Sequence, residues 1–230
     1  MKEETMQRQD WSASSITVEA LLQGDFDVAT RIQPTTSEYS VRDELESVTL
    51  VDSENNVIGS LGKIAAHRTG KLHRAFSILI TNPDGKLLLQ RRAGCKYHFA
   101  ARWSNTCCGH PRPGEPVRAA AHRRLWEEFG FSVPLEAVDE LRYRAVDPHS
   151  GLIEYEHLHV FQGCYAGKPC PNPDEIGAYR WMLPNRIQRC LARCSDVFTP
   201  WFAFVLATLI RSDWIGPSAH LAATPEFRII

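Results

Sequence analysis

The stretch from Gly109 to Phe131 constrains the fold more than any other part of this chain. Five residues separate Gly109 from Glu115, and seven more lead to Arg123-Arg124-Leu125-Trp126-Glu127-Glu128-Phe129-Gly130-Phe131. Val117, Ala120, Ala121, Leu125 and Phe129 recur at helical spacing, so 115–129 is predicted to be a helix with one apolar face. Gly130 supplies the stop signal. A short helix of this kind needs a sheet to cover.

The flanking sequence supplies one. Val48 to Val51 and Val57 to Leu61 read as strands around a turn at Asp52 to Asn56. Ala75 to Ile80 and Lys86 to Gln90 are strands joined by Asn82-Pro83-Asp84-Gly85, a strong hairpin turn. Leu141 to Val146, Leu152 to Phe161 and Gly177 to Met182 complete the set, and Thr199-Pro200 opens a final helix to about Ser212. Mixed strands with helices between and after them predict an α/β (α+β) fold, a mixed-sheet sandwich in one domain over 45–215. Residues 1–44 read as an extension with one short helix near Val18 to Leu22, and 216–230 as a tail.

Bulk properties exclude several classes. Lys+Arg 26 against Asp+Glu 27 gives a net charge of -1 over 230 residues, with no basic balance for nucleic acid or a membrane surface. The first residues lack the apolar core of a signal peptide, and the apolar run Trp201 to Ile210 is too short to span a bilayer. The expectation is a soluble, cytoplasmic protein. Seven cysteines, two of them adjacent, do not form a secreted disulfide framework and point to reduced thiols.

Chemistry concentrates in three places. Asn105-Thr106-Cys107-Cys108-Gly109-His110-Pro111 sets a thiol beside a histidine, a pattern that suits a metal ligand pair, a nucleophile with its base, or a buried structural cysteine. Upstream lie His67 and His73. Downstream, Glu154 and Glu156 are two apart in a strand and so share one face. Like carboxylates side by side need a cation between them or a proton on one. Three imidazoles and two carboxylates suit zinc or manganese.

The stretch that opens this reading resembles the Nudix box, a loop-helix-loop that holds a divalent cation, and with it a diphosphate, through Glu127 or Glu128. Arg124 stands where that box usually has Glu, which removes a metal ligand and adds a phosphate clamp. Joined with Ala66-His67, Leu72-His73, Arg91-Arg92, the Cys-Cys-Gly-His-Pro segment, Tyr143-Arg144-Ala145 and Glu154-Tyr155-Glu156, the pattern closely resembles the type 1 isopentenyl-diphosphate delta-isomerase family over roughly residues 46 to 210. That resemblance implies a Nudix-like fold and interconversion of isopentenyl and dimethylallyl diphosphate. It assigns Cys108 as the catalytic thiol and Glu156 as the acid/base carboxylate on the opposite face of the substrate, with Tyr143 hydrogen-bonded to the reacting carboxylate. His67, His73, His110, Glu154 and Glu156 would hold a manganese or zinc ion, and Glu128 would reach a magnesium on the diphosphate. Lys63, Arg92, Lys96 and Arg124 match phosphate-gripping positions, and Trp201 would line the hydrocarbon pocket. The expected partner is a prenyl diphosphate, without nucleic acid, membrane or flavin, and the expected state is a monomer or weak dimer.

The chemistry is consistent by itself. An unactivated alkene is a poor base, so its protonation needs a strong acid in a dry pocket, and the tertiary cation that follows gains from an aromatic face. Several positions stay open on residues alone. Strand register decides whether Arg91 or Arg92 faces the site, Lys96 has no phosphate-loop surroundings, and Trp201 suits core packing equally well. Phe99-Ala100-Ala101 replaces a Pro-Gly found in some relatives, an expected change in the covering loop that leaves the acid/base pair untouched. Cys107, His157 and His159 carry no assignment, the two histidines facing away from Glu156. The competing functions are Nudix hydrolysis of a diphosphate and a silent metal-binding module.

Overall fold

The computed structural model describes residues 45–211, so the expected N-terminal extension with its short helix and the tail from 216 lie outside the described residues. In chain order the elements are β1 (Ser47–Val51), β2 (Val57–Gly62), α1 (Lys63–Thr69), β3 (His73–Thr81), β4 (Leu87–Arg92), β5 (Trp103–Ser104) and β6 (Cys107–Gly109). There follow α2 (Val117–Phe129), β7 (Glu136–Val146), β8 (Ile153–Cys164), β9 (Ile176–Met182), α3 (Pro184–Arg193) and α4 (Phe202–Arg211).

β3 is the spine. It runs parallel to β8 from His73↔Glu156 to Thr81↔Cys164. It pairs antiparallel with β6 through Ser77↔Cys108, and with β1 at Leu50↔His73. β7 closes one side against β8, and β9 pairs antiparallel with β4. All residues of β3 from Ala75 onward are buried, as expected for a strand covered on both faces.

Alternation along β3 divides the interior in two. Phe76, Ile78 and Ile80 pack with Ala120, Ala121, Leu125 and Phe129 of α2. Ala75 and Leu79 pack on the other side with Phe202, Val205, Leu206 and Leu209 of α4 and Ile187 of α3. The result is a mixed sheet with helices on both faces, the sandwich that the strand pattern predicts.

Gly109 and Gly130 of the opening motif have structural reasons. A Cβ on Gly109 would lie 3.0 Å from Phe76 Cζ and 3.5 Å from Arg124 Cγ, so its absence lets α2 approach the sheet. Gly130 sits at φ 70, and a Cβ there would lie 3.1 Å from the Cys170 carbonyl oxygen. Two helices escape the sequence pattern. α1 spans only Lys63–Thr69 with Ala66 and His67 buried, and α3 buries Pro184, Ile187 and Cys190, too few apolar positions to produce a readable stripe. α2 begins at Val117 rather than Glu115, with Pro116 extended before it. β7 starts at Glu136, earlier than Leu141. All seven cysteines are free thiols.

Candidate active site and metal centre

The site lies on the face of the sheet that carries Ala75 and Leu79. His73, Ser77, Glu154 and Glu156 reach it by strand parity, and Cys108 arrives opposite Ser77. His67 comes from α1, which places it among the strands' donors.

Donor atoms of His67, His73, His110 and Glu154 all lie within 4.8 Å of one another. His67 Nε2 is 3.1 Å from Glu154 Oε2. His110 Nε2 is 3.0 Å from Glu156 Oε1 and 3.2 Å from His73 Nε2. Glu156 Oε1 is in turn 3.9 Å from His73 Nε2. The Nδ1–H of His67 donates to the Lys63 carbonyl at 2.6 Å, and that of His73 to the Lys71 carbonyl at 2.8 Å. Those bonds fix the tautomer and aim both Nε2 lone pairs inward, which is how protein histidines are prepared for a metal. The donor set fits a divalent cation. His67 and His73 are fully buried and Glu154 and Glu156 nearly so.

Burial sets the protonation states. It pushes His73 down to about 4 and His110 well below the usual imidazole range, so both are neutral. For His67, burial opposes the proton, but the Glu154 carboxylate outweighs it and raises the group. Glu154, despite burial, is held well below the carboxylate range by His67 and His98. Glu156 moves the other way: burial and the neighbouring Glu154 charge push it well up. The adjacent carboxylates thus split into an ionised one and a protonated one.

Tyr143, buried on β7, donates its hydroxyl to Glu156 Oε2 at 2.7 Å. The Cys108 thiol donates to Asn105 Oδ1 at 3.1 Å and lies 3.2 Å from Ser77 Oγ, and burial raises it to about 12. Trp201, at the start of α4, is 3% exposed and its indole N–H donates to Ser104 Oγ at 3.1 Å. Its ring meets Phe99 edge-on at 5.3 Å. Cys108, Tyr143, Glu156 and Trp201 share the wall of one cavity of about 520 Å³. Trp201 therefore both packs the core and faces the cavity.

The same cavity is lined by Lys63, Arg92, Lys96 and Arg124. Register resolves the Arg pair: Arg92 is buried and its guanidinium stands 5.8 Å over Trp201, whereas Arg91 is exposed. Lys63 pairs with Glu46 at 2.9 Å. Arg124 is tied to Glu127 at 2.7 Å, to Glu128 at 2.6 Å and to Glu175 at 2.7 Å. Glu128 is buried, accepts also from Gln90 Nε2 at 3.2 Å, and is not among the residues of the cavity wall.

Two residues were not found by sequence reasoning. Glu175 pairs with both Lys96 and Arg124, and its setting in Pro171-Asn172-Pro173-Asp174 reads as a solvated turn. His98 is 5% exposed and bonds through Nε2 to Glu154 Oε1. The loop bearing Phe99-Ala100-Ala101 therefore does more than cover the pocket, because it delivers an imidazole to a carboxylate of the cluster. On the opposite face of β8, His157 and His159 pair with Glu140, each at 3.0 Å, away from Glu156 as their alternation predicts.

Comparisons with known proteins give the family. The NUDIX domain family matches residues 71–202. A curated isopentenyl-diphosphate Delta-isomerase of Halorhodospira halophila is 49% identical over 172 residues, 74% of this chain and 98% of that protein. An isopentenyl-diphosphate Delta-isomerase 2 of Photorhabdus laumondii is 47% identical, covering 73% of this chain and 94% of its own. Among solved structures, a Deinococcus radiodurans protein superposes with a TM-score of 0.60 at 20% identity, over 70% of this chain and 98% of its own. The MutT protein of Methanosarcina mazei does so at 0.51 and 19%, over 62% and 95% respectively, and both likenesses concern the fold alone. With matches of this extent, the chain belongs to the NUDIX-domain isopentenyl-diphosphate Delta-isomerase family.

Proposed function

We propose that this chain interconverts isopentenyl and dimethylallyl diphosphate through Glu156 and Cys108, with Tyr143 as hydrogen-bond donor. The observation that carries the assignment is the shared cavity: the Glu156 carboxyl, the Cys108 thiol and the Trp201 indole face it together, beside a cluster of histidines that could hold a metal. Lys63, Arg92, Lys96 and Arg124 would grip the diphosphate, which anchors the substrate away from its reacting carbons.

Isomerisation takes one proton in and one out. Glu156 donates to the terminal alkene carbon, the π electrons form the new C–H bond, and a tertiary cation results. Trp201 offers that cation an aromatic face. Cys108, once its S–H proton has left to solvent, is the thiolate that then takes a proton from the carbon nearer the diphosphate, whose C–H electrons become the new double bond. Burial resists the thiolate, so the Ser77 hydroxyl at 3.2 Å is its main support.

His67, His73, His110, Glu154 and Glu156 would hold the divalent ion, manganese or zinc by their donor types, which increases the acidity of a bound carboxyl. A magnesium would accompany the diphosphate near Glu128. No flavin is required, and the protein would act in the cytoplasm as a monomer or weak dimer.

The test is incubation of purified protein with isopentenyl diphosphate and a divalent cation in D2O. Dimethylallyl diphosphate carrying deuterium in a methyl group is expected, with activity lost on chelation and in Cys108→Ala and Glu156→Gln. Product formed by Glu156→Gln at the native rate would refute the proton route, and phosphate release without isomer would make the protein a hydrolase.

A further inference from the structure

The two oxygens of Glu154 have different surroundings. Oε2 points into the cluster, 3.1 Å from His67 Nε2 and 4.0 Å from His73 Nε2. Oε1 is bonded to His98 Nε2. His98 comes from the loop between β4 and β5, is nearly fully buried, and its ring centre lies 5.3 Å from that of His67.

The other nitrogen of His98 decides what the ring is for. Nδ1 is buried and has no hydrogen-bond partner among the described residues. A histidine kept for packing is ordinarily satisfied at both nitrogens or exposed at one. Here the sole hydrogen bond of the ring among the described residues goes to Glu154, a carboxylate of the cluster. In the neutral tautomer Nε2–H donates to Oε1 and only a lone pair is left bare, which folded proteins tolerate better than a bare buried N–H.

The loop is fastened so that this contact persists. Arg92 Nη2 donates to the His98 carbonyl at 3.1 Å, and the Phe99 N–H donates to Asp147 Oδ2 at 3.2 Å. Phe99 holds φ at 45, a left-handed conformation that a non-glycine residue adopts only when its neighbours impose it.

We infer that His98 is a positioning residue of the metal centre: by occupying Oε1 it presents Oε2 alone to the ion, so that Glu154 binds through one oxygen. Outer partners of this type orient a ligand and exclude the bidentate mode, and their loss typically weakens metal binding 10- to 100-fold. The inference rests on reading the His67, His73, His110 and Glu154 cluster as a metal centre.

The experiment titrates metal-free protein with Co2+ and follows the visible absorption bands, for wild type, His98→Ala, His98→Gln and His110→Ala. His98→Ala should bind about 10- to 100-fold more weakly, with bands at saturation that show no lower ligand number because no ligand is lost. His98→Gln, whose amide N–H can reach Oε1, should recover most of the affinity. Circular dichroism checks folding, and His98→Leu, which keeps the volume, replaces the alanine variant if that does not fold. Wild-type affinity in both apolar variants would overturn the inference. So would bands shifted to a lower ligand number, which would make His98 a ligand itself. If wild type and His110→Ala bind Co2+ equally, the metal-centre reading fails and the inference falls with it.

Discussion

Replacing Tyr143 by Phe removes one oxygen and leaves the ring, with its neighbours Trp201 at 6.2 Å and Phe204 at 6.5 Å, in place. What disappears is the 2.7 Å hydrogen bond to Glu156 Oε2. That bond favours the ionised carboxylate, the form left when Glu156 has given its proton away, so its loss weakens the acid at the moment of transfer. A hydrogen bond to a charged, buried partner contributes about 1.5–3 kcal/mol. At about 1.4 kcal/mol per decade, kcat should fall roughly 10- to 150-fold. KM should change little, since Lys63, Arg92, Lys96 and Arg124, proposed to grip the diphosphate, are untouched. The assay is steady-state formation of dimethylallyl diphosphate, with thermal unfolding to confirm the fold. A kcat within twofold of wild type, or a loss confined to KM, would refute the reasoning.

Glu175→Gln leaves the half-buried Lys96 and Arg124 without their shared counter-charge, and since Arg124 keeps Glu127 and Glu128 it should destabilise the protein by about 1–3 kcal/mol, read by urea unfolding; an unchanged midpoint would show that other carboxylates take over. Gly130→Ala places a Cβ at φ 70 and 3.1 Å from the Cys170 oxygen, and should cost about 1–2 kcal/mol in the same measurement. Metal-free protein should lose stability as pH falls from 6.5 towards 4. His73 and His98, each lowered to about 4, and His110, lowered further, are neutral when folded but take up protons when unfolded. Glu156, raised in the folded state, works the other way and offsets one of these three. A flat or rising urea midpoint across that interval would contradict the assignment.

The legible parts of this fold are those in which one pattern serves both local structure and burial. β3 and α2 show it, their alternation and helical spacing matching the two interiors they enter. α1 and α3 were illegible because short helices bury only two or three side chains each. The site divides in the same way. Glu154 and Glu156 follow from strand parity, and His67, His73 and His110 from the motifs around them. His98 sits in a loop with no period, and Glu175 in a proline-flanked turn, so nothing in their immediate sequence marks either as buried. Their roles come from long-range pairing, with Glu154 for one and with Lys96 and Arg124 for the other.

The pairing of β3 with both β6 and β8 has a kinetic consequence. His73, Ser77, Cys108 and Glu156 are brought together only through the registers Ser77↔Cys108 and His73↔Glu156, contacts between segments remote in the chain. Loop closure over such distances is slow and unrewarded until the strands zip. The proposed cation-binding donors and the proposed proton-transfer pair therefore come into being in the same late event, and a chain arrested before β8 docks would hold neither set complete. Metal capture during refolding should then lag behind helix formation and coincide with amide protection of β3, which makes a bound ion a reporter for closure of the sheet.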